Sequence, residues 1–305
     1  MYKSDNIDTI LKHFICELNN KGDLVSPRGY ETKELLGQCF ELTNPRNRII
    51  FNPARKVYMT FGIGELLWIM RGSNELDIIQ YYNKKYKNYS DNGQTLYGAY
   101  GKRIVNKQFN LWEEVKNKLE SDPSTRQAII PIYSAQDTLM SSKDIPCTCL
   151  LQFLIRDNKL NCITYMRSND IILGLPYDIF NFTMLQELMA SQLNLELGTY
   201  KHFVGSLHLY SIHYQMSENI LEANFVRKYS MGKMPLTTND EIKTLLDIEE
   251  KIRVNTDLQQ CPSMGIKYWD EIIQILFYKK ISMNKDIAST MTLPDWFRAC
   301  TFTGD

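Results

Sequence analysis

Met166-Arg167-Ser168-Asn169-Asp170-Ile171-Ile172-Leu173-Gly174-Leu175-Pro176-Tyr177-Asp178 is the stretch that decides how this chain is read. An Arg-Ser pair suited to clamping an anion is followed by two carboxylates that bracket a Gly-x-Pro turn. Twenty residues upstream, Pro146-Cys147-Thr148 supplies a thiol, and Arg167, at the end of the hairpin's partner strand, is the cation expected to lower its pKa. Thirty residues downstream, Gly205-Ser206-Leu207-His208-Leu209-Tyr210 adds an imidazole and a phenol. A nucleophilic thiol, an anion clamp and proton-handling carboxylates are the parts of one active site. Taken singly, each has a plainer use. A strand-end cysteine is usually inert packing, Arg167 a surface ion pair, Ser168 a turn cap and Asp178 a helix N-cap before Ile179. The plain readings do not account for all of them in one ordered segment.

Working outward, the periodicity predicts a helix over residues 5–20, carried by Ile7, Ile10, Leu11, Phe14, Ile15 and Leu18. Strands are expected at 35–42 and 48–51. A helix is expected over 58–70 with Glu65 on an apolar face, a second over 75–87, and an amphipathic one over 111–119. Strands at 128–133, 149–156 and 160–166 follow, the last two as a hairpin around Asp157-Asn158. A long apolar helix over 178–193 leads into a strand over 201–210, and further helices are expected at 239–252 and 268–280. The order is not a repeating βα alternation, which indicates an α+β fold with a mixed or mostly antiparallel sheet. One domain spanning 1–305 is expected, with 216–305 its less patterned, helical C-terminal part.

Composition bounds the function. The 305 residues carry 35 Lys and Arg against 35 Asp and Glu, so bulk attraction to nucleic acid or an anionic membrane is not implied. Seven cysteines occur without a CxxC pair, and Cys147-x-Cys149 has no partner pair for a zinc site. The odd count suggests a reducing compartment, and no apolar run is long enough to span a membrane, so a cytoplasmic protein without a metal is expected.

The segment from Pro146 to Tyr210 resembles the core of the thymidylate synthase superfamily: Pro-Cys, Arg-Ser-x-Asp, Leu-Gly-x-Pro and His-x-Tyr occur in order and at the family spacing. Gly64-Glu65-Leu66-Leu67-Trp68, the block from Tyr97 to Lys102, and Asp122-Pro123-Ser124-Thr125-Arg126 are similar to further family motifs. The resemblance implies a thymidylate synthase-like fold and these roles. Cys147 attacks C6 of a pyrimidine. Arg28, Arg126, Arg167 and Ser168 hold a 5′-phosphate, with Arg126 reaching across a homodimer. His208 and Tyr210 bind the sugar 3′-hydroxyl, which ribose and deoxyribose share. Glu65 organises water and moves protons, Asp170 lies between nucleotide and folate, and Tyr177 stands beside the folate. The co-substrate implied is 5,10-methylenetetrahydrofolate.

Several departures resemble the superfamily's deoxycytidylate and cytidylate 5-hydroxymethylases. Asp178 stands where the synthase has Asn. An amide suits O4 and N3–H of uracil, whereas a carboxyl group sharing one proton with N3 suits cytosine. Thr148 replaces His, Ser206 replaces Asp, Gln127 replaces the second arginine of the arginine loop, and Tyr86-Lys87-Asn88-Tyr89 offers only tyrosines where a shielding tryptophan is usual. The expected substrate is CMP or dCMP, with water capturing the transferred carbon. A divergent thymidylate synthase acting on dUMP, and an inactive nucleotide- or RNA-binding homologue, are the alternatives.

Overall fold

A computed structural model describes residues 1–223, 229–282 and 291–301. Seven strands form one sheet: Tyr2–Ser4 (β1), Asp23–Val25 (β2), Thr32–Leu42 (β3), Ile129–Pro131 (β4), Thr148–Arg156 (β5), Lys159–Asp170 (β6) and Glu196–Tyr210 (β7). The order is β1-β3-β7-β6-β5-β4, with β2 on β3. β1–β3 and β6–β7 run parallel and the other pairs antiparallel, so the sheet is mixed and the fold is α+β.

In chain order the first ten α-helices of the described residues are Ile7–Lys21 (α1), Met59–Met70 (α2), Leu76–Tyr82 (α3), Tyr100–Ile104 (α4), Leu111–Ser121 (α5), Ala135–Leu139 (α6), Leu175–Gln192 (α7), Tyr214–Glu222 (α8), Asn239–Val254 (α9) and Lys267–Ile281 (α10). The parallel β6–β7 pair needs a crossover, and α7 provides it. This helix is buried around most of its circumference, from Leu175 through Ala190, which is what a helix lying between a sheet and other helices demands. Met59–Met70 (α2) packs against it. Asn239–Val254 (α9), Lys267–Ile281 (α10) and the C-terminal helix Asp295–Thr301 pack in turn on α2. The sheet's other neighbour is Ile7–Lys21 (α1), which lays Ile7, Ile10, Leu11, Phe14 and Leu18 against β3. Glu187 on α7 ties down the preceding loops by pairing with Arg46 and with the fully buried Arg48. Removing Glu187 would leave the Arg48 guanidinium buried without its ion-pair partner.

Three expectations need correction. Residues 48–51 are not a strand. They are buried, but the amides of Phe51 and Asn52 donate to the Asp8 carboxyl at 3.0 and 3.2 Å rather than to a neighbouring strand. The helix expected over 75–87 is broken at Asn83. Leu76–Tyr82 is α-helical, and the Asn83 side chain accepts from the Lys85 amide at 3.1 Å to start a separate 3-10 turn, Lys84–Asn88. Finally, α7 starts at Leu175, with Pro176 in its first turn, so Asp178 lies inside the helix instead of capping it. Its amide donates to the Gly174 carbonyl at 3.0 Å, and its carboxyl, not engaged in capping, accepts from Asn169 Nδ2.

Candidate active site

The site gathers where β6 ends and α7 begins. β6 runs further than the sequence pattern suggested, to Asp170, so Arg167, Ser168 and Asp170 are strand residues. The turn after it is tied by the Asp170 carboxyl, which accepts from the amides of Ile172 and Leu173 at 2.7 and 3.0 Å. The buried Arg55 guanidinium donates to the Ile172 carbonyl at 2.7 Å and fixes the turn from the other side. Asp170 and His208 are register partners on β6 and β7, and Ser168 lies opposite Ser206 in the same ladder. Sheet register therefore brings the clamp and sugar-binding candidates onto adjacent strands.

Cys147 immediately precedes β5, and its carbonyl accepts from the Arg167 amide at 2.8 Å. The Arg167 guanidinium is held by the carbonyls of Pro146 and Ile145 at 3.0 and 2.9 Å, and its terminal nitrogen lies 3.7 Å from Cys147 Sγ. The expectation of a thiol lowered by this cation is only half right. Burial is the largest influence and pushes the Cys147 thiol above its ordinary range. Arg167 pulls it down, Asp178 and Asp144 push it up, and Arg28 pulls it down again. In the free protein the thiol form is favoured, and bringing in a cation or removing a carboxylate's charge is what would release the thiolate.

Arg28 sits in the left-handed region with φ of 55°, in the turn Pro27–Gly29. Burial, and then Asp170, raise the Tyr210 phenol above its ordinary range, and the Arg28 guanidinium, bonded to its hydroxyl, opposes the rise. Tyr210 packs edge-on against His208 at 5.0 Å. Arg28, Cys147, Asp170 and Tyr210 thus share one electrostatic neighbourhood. Arg126 does not join it. It is exposed in the loop before β4, its carbonyl accepts from Gln152 Nε2 at 2.9 Å, and its guanidinium has no partner among the described residues.

A second cluster lies on the α2–α7 side. Glu65 accepts from the Tyr86 hydroxyl and, at 2.7 Å, from Asn181 Nδ2. Burial raises its pKa and these two donors oppose the rise. Asn181 is three residues after Asp178 on α7, so both project from one helix face. The Asp178 carboxyl accepts from Asn169 Nδ2 at 2.8 Å. Burial first, and then the Glu65 charge, push it up to about 8, against a lowering by Asn169. Tyr100 stands between the clusters: burial raises its pKa well above the usual phenol range, and Asp178, Cys147 and Glu65 all act on it. Tyr177 forms a wall with Phe61, their rings edge to face at 4.7 Å, and its hydroxyl accepts from the Tyr58 amide at 3.1 Å. Aromatic rings, the exposed Leu173 on the Asp170 turn, and the carboxyls of Glu65 and Asp170 are a donor and acceptor set that fits a folate.

Sequence reasoning missed several contributors. Tyr100 lies in a recognised block, but nothing in the spacing pointed its ring toward Cys147. Glu34 on β3 receives the Ser206 hydroxyl, placing a carboxylate beside the serine that departs from the family pattern; only the β3–β7 register reveals this. Asn169 and His202 were not singled out at all. Among the described residues no group of three or more His, Cys, Asp or Glu is placed to hold a metal, and no helix is long and apolar enough to cross a membrane.

Comparison with known proteins gives this geometry its context. A thymidylate synthase family profile matches residues 5–254. The chain is 30% identical over 342 aligned positions, covering 97% of it and 87% of the relative, to a deoxyuridylate hydroxymethyltransferase of Bacillus phage SP01. It is 28% identical over 197 positions, covering 62% of it and 71% of the relative, to a thymidylate synthase of Vesicomyosocius okutanii. With its mixed sheet, its Pro-Cys turn and its Arg-Ser-x-Asp strand in these positions, the chain belongs to the thymidylate synthase family, and its chemistry is one-carbon transfer to a pyrimidine nucleotide.

Proposed function

We propose that this protein transfers a one-carbon unit from 5,10-methylenetetrahydrofolate to C5 of cytidylate, CMP or dCMP, and that water captures it to give the 5-hydroxymethyl nucleotide. The observation that carries the reading is Asp178. It is a half-buried residue whose carboxyl, poorly solvated beside Cys147 and Glu65, is pushed up to about 8, at the position where the family has an amide. Uracil has a carbonyl at position 4 to take up charge when C6 is attacked, and an amide can support it. Cytosine has an amine there. Its C6 becomes a good electrophile when N3 receives a proton, and a carboxylic acid can hand one over where an amide cannot.

The roles follow. Arg28, Arg167 and Ser168 hold the phosphate, and His208 and Tyr210 the sugar. The Cys147 thiol gives its proton to solvent and Sγ bonds to C6 while Asp178 gives a proton to N3, so the C5–C6 π electrons become available at C5. The C5 hydrogen leaves as a proton after C5 has bonded to the new carbon, and Sγ departs as the C5–C6 double bond re-forms. Bound folate supplies a carbon at the oxidation level of formaldehyde. Asp170 and Tyr177 border its place, and Glu65, held by Tyr86 and Asn181, orients the water whose oxygen ends on the new carbon. The overall exchange consumes water and releases tetrahydrofolate, with no hydride transfer. Tyr86 bonded to Glu65 supports this outcome, because it places a polar hydroxyl and an ordered carboxylate where a shielding indole is usual.

The test is a side-by-side assay of CMP, dCMP and dUMP with methylenetetrahydrofolate. The expected result is tritium release from C5 of a cytidylate, a hydroxymethyl product and no dihydrofolate. Dihydrofolate formation with dUMP would return the protein to thymidylate synthesis. The phage relative, described as acting on deoxyuridylate, supports a second reading: the same hydroxymethyl transfer on dUMP. Hydroxymethyl product from dUMP alone would establish it.

The site is composite in this proposal. Arg126, whose guanidinium has no partner among the described residues, would complete the phosphate clamp of a second copy in a homodimer. Mixing inactive Cys147→Ala and inactive Arg126→Ala proteins, with subunit exchange verified, should restore activity, up to about one quarter of wild type if exchange is statistical, because half of the chains pair as heterodimers with one intact site each. No recovery after exchange places Arg126 outside its neighbour's site.

A further inference from the structure

The carboxyl of Asp178 is the end of a buried chain of hydrogen bonds that the family motif does not include. The Tyr200 hydroxyl lies 2.8 Å from His202 Nδ1. His202 Nε2 lies 3.1 Å from Asn169 Oδ1, and Asn169 Nδ2 lies 2.8 Å from Asp178 Oδ2. Tyr200 and His202 have no exposed surface and Asn169 has 3%. The His202 ring stacks on Phe40, with centroids 5.0 Å apart and planes 24° apart, so it cannot swing away. Gly174 leaves room for the last link. A Cβ there would stand 3.1 Å from Asn169 Nδ2 and 3.3 Å from Asp178 Oδ2.

This relay has a direction. Burial lowers the pKa of His202 to about 3, so the ring is neutral and carries a single N–H. With the amide of Asn169 turned as it is, His202 Nε2–H donates to Asn169 Oδ1, and Nδ1 accepts from Tyr200. Asn169 then offers only a donor to Asp178. Oδ2 of Asp178 must accept, and a proton on this carboxyl belongs on Oδ1. We propose that Asn169, His202 and Tyr200 are positioning residues that fix which oxygen of Asp178 accepts and which donates, and thereby set the base edge the pocket reads. The proposal rests on the reading that Asp178 contacts the base. For cytosine, Oδ2 takes the exocyclic amine and Oδ1–H faces N3.

The consequence is a coupling between positions 169 and 178. An asparagine introduced at 178 alone would still have to present its oxygen to Asn169. It would keep the polarity that suits cytosine, while losing the proton that turnover needs. Freed of Asn169, the same amide can turn over and present the polarity that suits uracil.

The experiment measures equilibrium binding of dCMP and dUMP to wild type, Asp178→Asn, Asn169→Ala and the double variant, with thermal unfolding to confirm folding. All four are compared in a Cys147→Ala background, so that thiol addition does not enter. Asp178→Asn alone is expected to keep the cytidylate preference. Asn169→Ala is expected to narrow it about tenfold, the scale of one lost buried hydrogen bond, and the double variant should prefer dUMP. In the Asp178→Asn background, His202→Phe should act in the same direction as Asn169→Ala by unpinning the amide, and His202→Gln, which keeps a donor, should act less. A switch to dUMP by Asp178→Asn alone overturns the relay while leaving Asp178 as the base reader. No change of preference in the double variant overturns the base-reading role itself.

A pH readout is independent of base choice. Asp178 is faced by Glu65 on α2, Asp170 at the end of β6, Tyr100 at the start of the helix Tyr100–Ile104, Cys147 before β5, and Tyr200 and His202 on β7. Among the described residues Asn169 alone donates a hydrogen bond to its carboxyl and so favours the charged form. Losing that donor favours the neutral form, so in Asn169→Ala the alkaline loss of cytidylate binding should move to higher pH. An unmoved limb in a folded variant reduces Asn169 to a structural residue.

Discussion

Cys147→Ala is expected to lower turnover by at least about 10³-fold, the scale on which covalent catalysis fails when its nucleophile is removed. Nucleotide binding should persist, because Arg28, Arg167, Ser168, His208 and Tyr210 are untouched. Thiol chemistry adds a sharper check. Burial holds the Cys147 thiol above its ordinary pKa in the free protein, and Arg167, 3.7 Å away, is the chief force in the other direction. Alkylation of Cys147 in the absence of nucleotide should therefore be slow at neutral pH and rise with pH. In Arg167→Ala the rise should move to still higher pH, since the thiolate loses its nearest cation. The label must be followed on the Cys147 peptide, because Cys16 is exposed and reacts in its own right. Cys149 stands outside the motif, and Cys149→Ser should cost little. An alanine variant retaining substantial turnover would remove C6 attack by this thiol from the mechanism.

How much of this was legible in the sequence differs by residue. The β5–β6 hairpin, α7 and β7 were readable because their apolar patterns are long and their turn, Asp157-Asn158, takes the positive φ angles that such residues tolerate. The motif order placed Cys147, Arg167, Asp170 and Asp178 in one ordered set; in the structure Arg167 and Asp170 lie on β6, the Cys147 carbonyl accepts from the Arg167 amide just before β5, and Asp178 reaches β6 through Asn169. Residues 48–51 misled because their apolar side chains look like a strand, while their amides are satisfied by one distant carboxyl, Asp8, and no local pattern records that. Asn169, His202 and Glu34 were invisible for a related reason. Each acts across a strand boundary, so its role depends on sheet order, which periodicity does not specify. The raised Cys147 thiol was misjudged because sequence shows that Arg167 is close but not how completely the pocket is enclosed.

Asp178 carries the second large effect. Its carboxyl is pushed from an ordinary 3.8 up to about 8, by burial first and Glu65 second. Between these values the folded protein binds one more proton here than the unfolded chain does, so this group's contribution to stability falls as pH rises through that window. The same proton is needed to face N3 of cytosine. Cytidylate binding to the Cys147→Ala protein should therefore be level below about pH 8 and weaken about tenfold per pH unit above it. Asp178→Ala removes both contacts to the base edge and should weaken cytidylate binding on the order of 10²-fold, as expected for buried base-edge groups left without partners. Its remaining binding should lose the alkaline limb. That loss separates Asp178 from Glu65, which is also raised by burial but keeps its two donors, Tyr86 and Asn181, when Asp178 is gone. A limb that survives in Asp178→Ala would assign the proton to Glu65 and leave the carboxyl at 178 without a part in reading the base. The chain would then recognise its pyrimidine through contacts that a synthase also makes, and dUMP would become the expected substrate.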